Sequence, residues 1–377
     1  MGWRLSRNAD TEGKKHKNRY QATLKEYLVI MSLLTRCYEL VKDYYTYNYS
    51  SAPPNLLILF VTSRCNFRCE TCFYWENLND TDNDLTLDEI KKISTHFSTL
   101  KLLLLSGGEP FLRKDLFEVI KIFYENNHVR KLHLPTNGYA TEKIIATIEK
   151  LLIELPDLKV NMGISLDAFG EKHDEIKKQK GAFVKAIETQ HALVKLEKKY
   201  NTLKTSFYCV VSSGNVKEAE KLFQFITREF GYEKISFSPL RGDPKEDTLS
   251  EPSQNDWENV FHVYRKCIQN SPFQMKQFFI NKKMEFANRI YGNVMSGKGL
   301  SPIQCSAGNN ICVIDANGDV RACELKGAIA NIREYDYDIT QIVDIKKKHT
   351  CSCTHACFLN ASLEISPVNY VRSWLNL

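Results

Sequence analysis

The chain has 377 residues, 43% hydrophobic and 25% charged, enough to bury a substantial core and without the Pro and Gly excess of fibrous or disordered proteins. Its formal charge is +6, and residues 1–50, with nine Lys and Arg against five Asp and Glu, carry a surplus of four. The rest is nearly balanced, so no nucleic-acid partner is expected. The longest early apolar run, "YLVIMSLL" at Tyr27 to Leu34, is far short of the ~18 residues a membrane span needs. A charged stretch precedes it, which argues against a secretion signal. Twelve cysteines are too few for a disulfide scaffold of this size, and their clustering at 65/69/72 and 351/353/357 points to metal in a reducing, cytoplasmic compartment.

In chain order, a basic arm comes first, with six Lys and Arg from Arg4 to Arg19. Tyr20, Leu24, Tyr27, Leu28, Met31, Leu34, Tyr38, Val41 and Tyr45 then recur at helical spacing, predicting an amphipathic helix over 20–47 that ends at "SSAPPN". Such a stripe packs on the protein's own core; peripheral contact of residues 1–47 with an anionic membrane is the other reading. From Leu56 apolar, β-forming runs at 56–62, 101–105, 130–134, 158–166, 203–211 and 234–238 alternate with helical stretches at about 86–99, 114–126, 141–154, 181–199 and 215–230. That rhythm predicts βαβ units and a parallel sheet covered on both faces, either an open doubly wound sheet or an incomplete βα barrel. Both place functional groups at the carboxyl ends of the strands. The polar signals fall there: Cys65, "SGGEP", "PTNG", "SLDAFG", "SSGN" and "SPLRGDP" after strands one to six in turn. Two helices follow at 254–270 and 274–295, then a hairpin, "CVIDANGDVRAC", about Asn317-Gly318, and a short helix near 340–348.

"CNFRCETC" puts three thiols in one loop at the end of the first strand. Structural zinc takes four ligands, usually as two pairs far apart in sequence, and this loop offers no neighbouring fourth. Three thiolates instead suit three irons of a [4Fe–4S] cube, with the fourth iron open to a ligand. The pattern Cys65-x3-Cys69-x2-Cys72 resembles the signature of the radical S-adenosylmethionine (SAM) superfamily, and "GGEP" at Gly107 to Pro110 resembles that family's second-strand motif. Cys305, Gly318 and Cys323 resemble the start of the SPASM and shorter twitch domains that house auxiliary Fe–S clusters.

The resemblance implies a partial (β/α)6 TIM-like barrel at 55–243, behind the arm and helix of 1–54. A helical connector at 244–302, a small α+β twitch/SPASM-like Fe–S domain at 303–360 and a tail at 361–377 complete it. It implies a [4Fe–4S] cluster on Cys65, Cys69 and Cys72, and SAM held by Gly107, Gly108, Glu109, Pro110, Asn137, Ser165 and Asp167. A second [4Fe–4S] cluster would use Cys305, Cys323, Cys353 and Cys357, with Cys351 or His355 as competing ligands and zinc as the rival metal. Asn215 and Arg241 are further candidates for cofactor or substrate contact. Family members place an aromatic residue before the third cysteine, where this chain has Thr71, leaving Phe73, Tyr74 or Trp75 to meet the adenine.

The activity so implied is reductive cleavage of SAM to a 5′-deoxyadenosyl radical that abstracts hydrogen from substrate, with electrons from a flavodoxin or ferredoxin. About fifty residues precede the barrel, short for a leader-peptide recognition domain, which favours a small-molecule, sugar or lipid-linked substrate over a ribosomal peptide. A non-catalytic Fe–S or zinc protein is the remaining alternative. Cys37, Cys209, Cys267 and Cys312 read as ordinary buried residues.

Overall fold

Six apolar runs become six parallel strands: β1 (Leu56–Thr62), β2 (Leu102–Gly107), β3 (Lys131–Thr136), β4 (Lys159–Ser165), β5 (Leu203–Val211) and β6 (Ile235–Pro239). The computed structural model describes residues 53–269, 275–299, 303, 305–342, 345 and 353–364, together with Met31, Tyr38, Val41, Lys42 and Tyr45. The basic arm, most of the 20–47 segment, Cys37 and Cys351 lie outside the described residues. The five described residues of that segment are helical and exposed, so the stripe positions among them are not buried in the core.

Strands β1 to β6 lie side by side in chain order, each pairing in parallel with the next. Sequential order with a helix on every crossover curves the sheet one way, as in a barrel, and excludes the order reversal of a doubly wound sheet. The crossovers are α1 (Leu87–Thr95), α2 (Leu116–Asn126), α3 (Thr141–Glu154), α4 (Glu171–Lys177) with α5 (Ala182–Lys199), and α6 (Ala219–Phe230). Helix α1 starts at a reciprocal capping box: Glu89 N–H donates to Thr86 Oγ1, and Thr86 N–H to the Glu89 carboxylate at 2.8 Å. The fold is a partial TIM-type barrel, left open between β6 and β1.

Strand β1 serves two cores by alternation. Leu57, Leu59 and Val61 face the helices, whereas Ile58 and Phe60 face inward. All five are nearly inaccessible, and each contributes roughly 2 kcal/mol by burial. After β6, helices α7 (Gln254–Gln269) and α8 (Met275–Met295) extend the aromatic core, with Trp257 and Tyr264 both within 5.5 Å of Phe237 between ring centres.

The carboxyl-terminal hairpin does not stand apart. Strand β7 (Ile311–Ile314) pairs in parallel with β1, in register Leu56 to Ile311 through Leu59 to Ile314. Strands β8 (Asp319–Arg321) and β9 (Ala330–Asn331) continue it antiparallel, making one nine-stranded sheet. Arg333 fastens this edge to α1 through Glu89 at 2.6 Å, a bond that holds the Glu89 carboxyl down at about 2. Helix α9 (Ala356–Glu364) lays Phe358 and Ala361 against Ile58 and Phe60 on the inner face. Of the helix expected at 340–348, the described part is a short 3-10 turn, Ile339–Gln341.

Candidate active site

The cysteine loop leaves β1 under tight control. Asp84 accepts from Thr62 Oγ1 at 2.8 Å and from Ser63 N–H at 3.1 Å, and Arg113 donates to the Val61 carbonyl at 2.6 Å. Inside the loop, Phe67 N–H points at Cys65 Sγ (3.4 Å) and Cys72 N–H bonds the Cys69 carbonyl (3.3 Å). Helix α4 and the segment after β6 grip it from outside. Glu70 N–H donates to the Ile176 carbonyl, while Lys245 and Glu246 N–H, beyond β6, donate to the carbonyls of Cys72 and Glu70.

"GGEP" explains how this loop and β2 can cross. A Cβ on Gly107 would lie 2.3 Å from the Thr62 carbonyl oxygen and one on Gly108 2.0 Å from that of Arg64, and Gly107 has φ +120°. No side chain fits there. The glycines therefore serve the approach of two backbone segments, and the N–H groups of Gly108 and Glu109 are spent on the Thr62 and Arg64 carbonyls. Glu109 turns inward, 3% exposed, and accepts from Thr136 Oγ1 (2.8 Å), Asn137 N–H (2.7 Å) and Phe111 N–H (3.3 Å). Burial pushes its carboxyl up to about 7, against the pull of those donors. Asn137 closes the ring of contacts by donating to Asn66 Oδ1 of the cysteine loop at 2.8 Å.

Ser165 ends β4, and Lys177, the last residue of α4, reaches it: Nζ lies 2.7 Å from Ser165 Oγ and 2.6 Å from Asp167 Oδ2. The Lys177 and Asp167 side chains are 5% and 0% exposed. Burial by itself drags the ammonium down, but Asp167 more than offsets it and holds Lys177 charged above its usual range. Asp167 sits behind Lys177 and also accepts from Val210 N–H at 2.9 Å. Asn215 is spent on the fold, donating to the Asp167 and Val210 carbonyls and accepting from Ser212 N–H.

These parts meet around one cavity of about 200 Å³, with Cys65, Cys69 and Cys72 on one side and Gly107 to Pro110 beside them. Thr136, Asn137, Ser165, Lys177 and Arg241 complete its polar wall; Asp167 does not reach it. Thr71, Phe73 and Tyr74 line it and Trp75 does not, while Tyr74 also packs edge-on to Phe60 at 4.7 Å. Burial pushes the thiols of Cys65 and Cys72 up to about 12 and about 11, and raises Cys69 as well. Among the described residues no three His, Cys, Asp or Glu side chains close on one point as around a single ion. A cube takes each thiolate at a different iron, which suits three thiols facing a shared space. A larger depression, about 630 Å³, lies at the opposite ends of β4 and β5 around Tyr200 and Lys204 and contains no cysteine.

The family model of the radical SAM superfamily matches residues 59–226, the stretch that builds this cavity from β1 through α6. Residues 59–226 are a radical SAM domain. The chain is an enzyme of that class, whose cofactors are a [4Fe–4S] cluster and SAM. It is 26% identical over 301 residues to the AdoMet-dependent heme synthase of Methanosarcina barkeri, spanning 75% of this chain and 81% of that one. It is 39% identical over 95 residues to the GTP 3′,8-cyclase of Pectobacterium atrosepticum, only 24% of this chain and 29% of the relative. In fold it resembles Streptococcus suis SuiB (TM-score 0.52, 16% identity, 83% of this chain and 70% of that one), a protein also solved with its precursor peptide SuiA.

Beyond the radical SAM cavity lies the second cysteine group. Cys323 follows β8, and its thiol, pushed up to about 12 by burial, also feels Cys353 and Cys305. Cys323, Cys305 and Cys357 pack in the same inner apolar cluster as Cys72 and Phe73. Glu324 and His355 are both buried and meet through His355 Nε2 at 2.5 Å, leaving His355 Nδ1 without a partner among the described residues. Cys209, Cys267 and Cys312 are buried. No helix among the described residues is long and apolar enough to cross a membrane.

Sequence reasoning missed Lys177. It lies twelve positions after Ser165, in "EKHDEIKKQK", where nothing separates it from three solvated neighbours. Only the fold of α4 back onto β4 does.

Proposed function

We propose that Cys65, Cys69 and Cys72 hold three irons of the [4Fe–4S] cluster and that SAM occupies the cavity they share with "GGEP" and Lys177. The observation that carries this reading is the convergence of three thiols and a buried ammonium on one cavity. When bound, the cluster supplies the electron that splits SAM into methionine and a 5′-deoxyadenosyl radical. The chain does the rest by placement. Lys177, charged and held by Asp167 and Ser165, takes the SAM carboxylate. The "GGEP" turn, locked to Thr136 and Asn137 by Glu109, sets the wall against which the methionyl end lies. Phe73 is the aromatic residue left to meet the adenine in place of one at Thr71. Phe67, Tyr74 and Leu240 exclude water.

Cys305, Cys323, Cys353 and Cys357 are the ligand set for an auxiliary [4Fe–4S] cluster, in a twitch-like segment built on β7 to β9 and α9. Such a centre beside the barrel suits electron removal from a substrate radical and hence a net oxidation, with a flavodoxin or ferredoxin as external donor. The substrate is a small molecule, sugar or lipid-linked compound. The heme synthase relative, matched over most of both chains, supports a small-molecule substrate. A peptide is the second reading, favoured by SuiB, which likens to this chain in fold alone.

The test is anaerobic reconstitution with iron and sulfide, then dithionite-driven formation of 5′-deoxyadenosine from SAM. Wild-type protein should form it and Cys65→Ala should not; equal yields from both would sink the assignment.

A further inference from the structure

One cation in the cavity wall is left over once Lys177 is assigned. Arg241 lies two residues after β6, and its side chain, 17% exposed, lines the cavity next to Phe73. Its guanidinium lies over the Phe73 ring, 4.8 Å from the centre, so one flat face is covered by an aromatic and the edge is left for hydrogen bonding. The backbone there is shaped for this packing: Gly242 has φ +68°, and a Cβ on it would stand 2.8 Å from Leu325 Cδ2 and 3.1 Å from Phe73 Cβ.

Among the described residues Arg241 pairs with one carboxylate, Glu324, and the pairing is incomplete. Nη2 lies 3.5 Å from Glu324 Oε2, while that oxygen is taken by His355 Nε2 at 2.5 Å. Arg241 Nε is buried and has no hydrogen-bond partner among the described residues. A guanidinium offers five donors in a fixed fork, and the exposed part of this one lines the cavity, where an acceptor can reach it. Nearby walls, Phe73, Val210 and Leu240, are apolar. A fork of donors beside apolar walls matches a carboxylate on an apolar body, which a guanidinium binds through two parallel hydrogen bonds. A phosphate would bring a second negative charge, and the other cation lining the cavity, Lys177, is assigned to the SAM carboxylate.

We propose that Arg241 is the substrate-recognition residue and that the substrate is an organic acid whose carboxylate docks on its guanidinium, between the two cysteine groups. This rests on the reading that Lys177 takes the carboxylate of SAM.

The experiment is calorimetric titration of the SAM-loaded, reconstituted enzyme with 3-phenylpropionate and with 3-phenylpropionamide, which differ only in the charged group. Wild-type protein should bind the acid about tenfold or more tighter than the amide. Arg241→Lys should keep a reduced preference, because it retains charge opposite Glu324 but loses the fork, and Arg241→Gln should lose it. Acid affinity should fall in Arg241→Gln by at least about tenfold more than SAM affinity, titrated separately. Equal binding of acid and amide by wild type, or a preference that survives both substitutions, overturns the proposal. So does an equal loss of SAM affinity, which would make Arg241 a SAM contact. Wild-type protein that makes no 5′-deoxyadenosine would instead overturn the radical reading of the site, a result the titration does not depend on.

Discussion

The two cysteine groups are built in opposite ways. Cys65, Cys69 and Cys72 come from one loop, and that loop is held by backbone hydrogen bonds to the turn after β2, helix α4 and the segment after β6. Cys305 precedes β7, Cys323 follows β8, and Cys353 and Cys357 flank the start of α9, so this group is drawn from distant parts of the chain, beside a hairpin that β7 joins to β1. A local loop with a rigid frame suits a centre at which SAM must sit in one orientation. A dispersed set, seated in the same apolar cluster as Cys72, suits an accessory centre beside it.

Loss of one ligand of the local group should be the largest effect. Cys65→Ala should lower 5′-deoxyadenosine formation about a thousandfold or more, on the order of 4 kcal/mol in activation free energy. Next is the cation in the cavity wall. Lys177→Met leaves the fully buried Asp167 unpaired, and a thermal or denaturant titration should show a loss of about 3 kcal/mol, since breaking a buried pair strands a charge. The double change Lys177→Met with Asp167→Asn should recover part of that stability while SAM affinity stays low. Recovery of SAM binding would show that Lys177 serves only the fold.

Gly108→Ala tests the crossing of the two loops. Its Cβ would meet the Arg64 carbonyl oxygen at 2.0 Å, so the cysteine loop must shift. A destabilisation of roughly 2–4 kcal/mol is expected, with reduced iron retention at the first group and not the second. Glu109 gives a comparable effect that depends on pH. Its carboxyl gives up a proton near 4.5 in the unfolded chain and near about 7 in the native one. The native state holds the extra proton between those values, so stability falls as pH rises through that window. Relative to Glu109→Gln, which does not titrate, wild-type protein should lose roughly 3 kcal/mol between pH 4.5 and 7 and no more above it. Smallest for SAM cleavage should be Cys323→Ala: iron at the second group is lost, while 5′-deoxyadenosine formation persists within about tenfold, near 1.4 kcal/mol. A loss equal to that of Cys65→Ala would erase the distinction between the groups.

The barrel was readable because its strands are continuous apolar runs covered by helices, and their observed limits all lie within two residues of those expected. The cysteine loop and "GGEP" were readable because their chemistry is local. What escaped depends on distant pairing. Nothing near Ile311 announces a partner at Leu56, some 250 residues away. The two-residue strand β9 has no periodicity to detect. Helix α4, with Lys177 at its end, is short and polar and reads as solvated chain. At Gly107 and Gly108 the sequence shows the glycines but not the backbone of the cysteine loop that crosses them.

The central claim is that two cysteine groups, one local and one assembled, carry two separate clusters. The most direct measurement is the iron and sulfide content of the anaerobically reconstituted protein, in wild type, Cys65→Ala and Cys323→Ala. About eight irons in wild type and about four in each variant is the expected result. About four irons in wild type, unchanged in Cys323→Ala, would contradict it and leave the second group without a cluster.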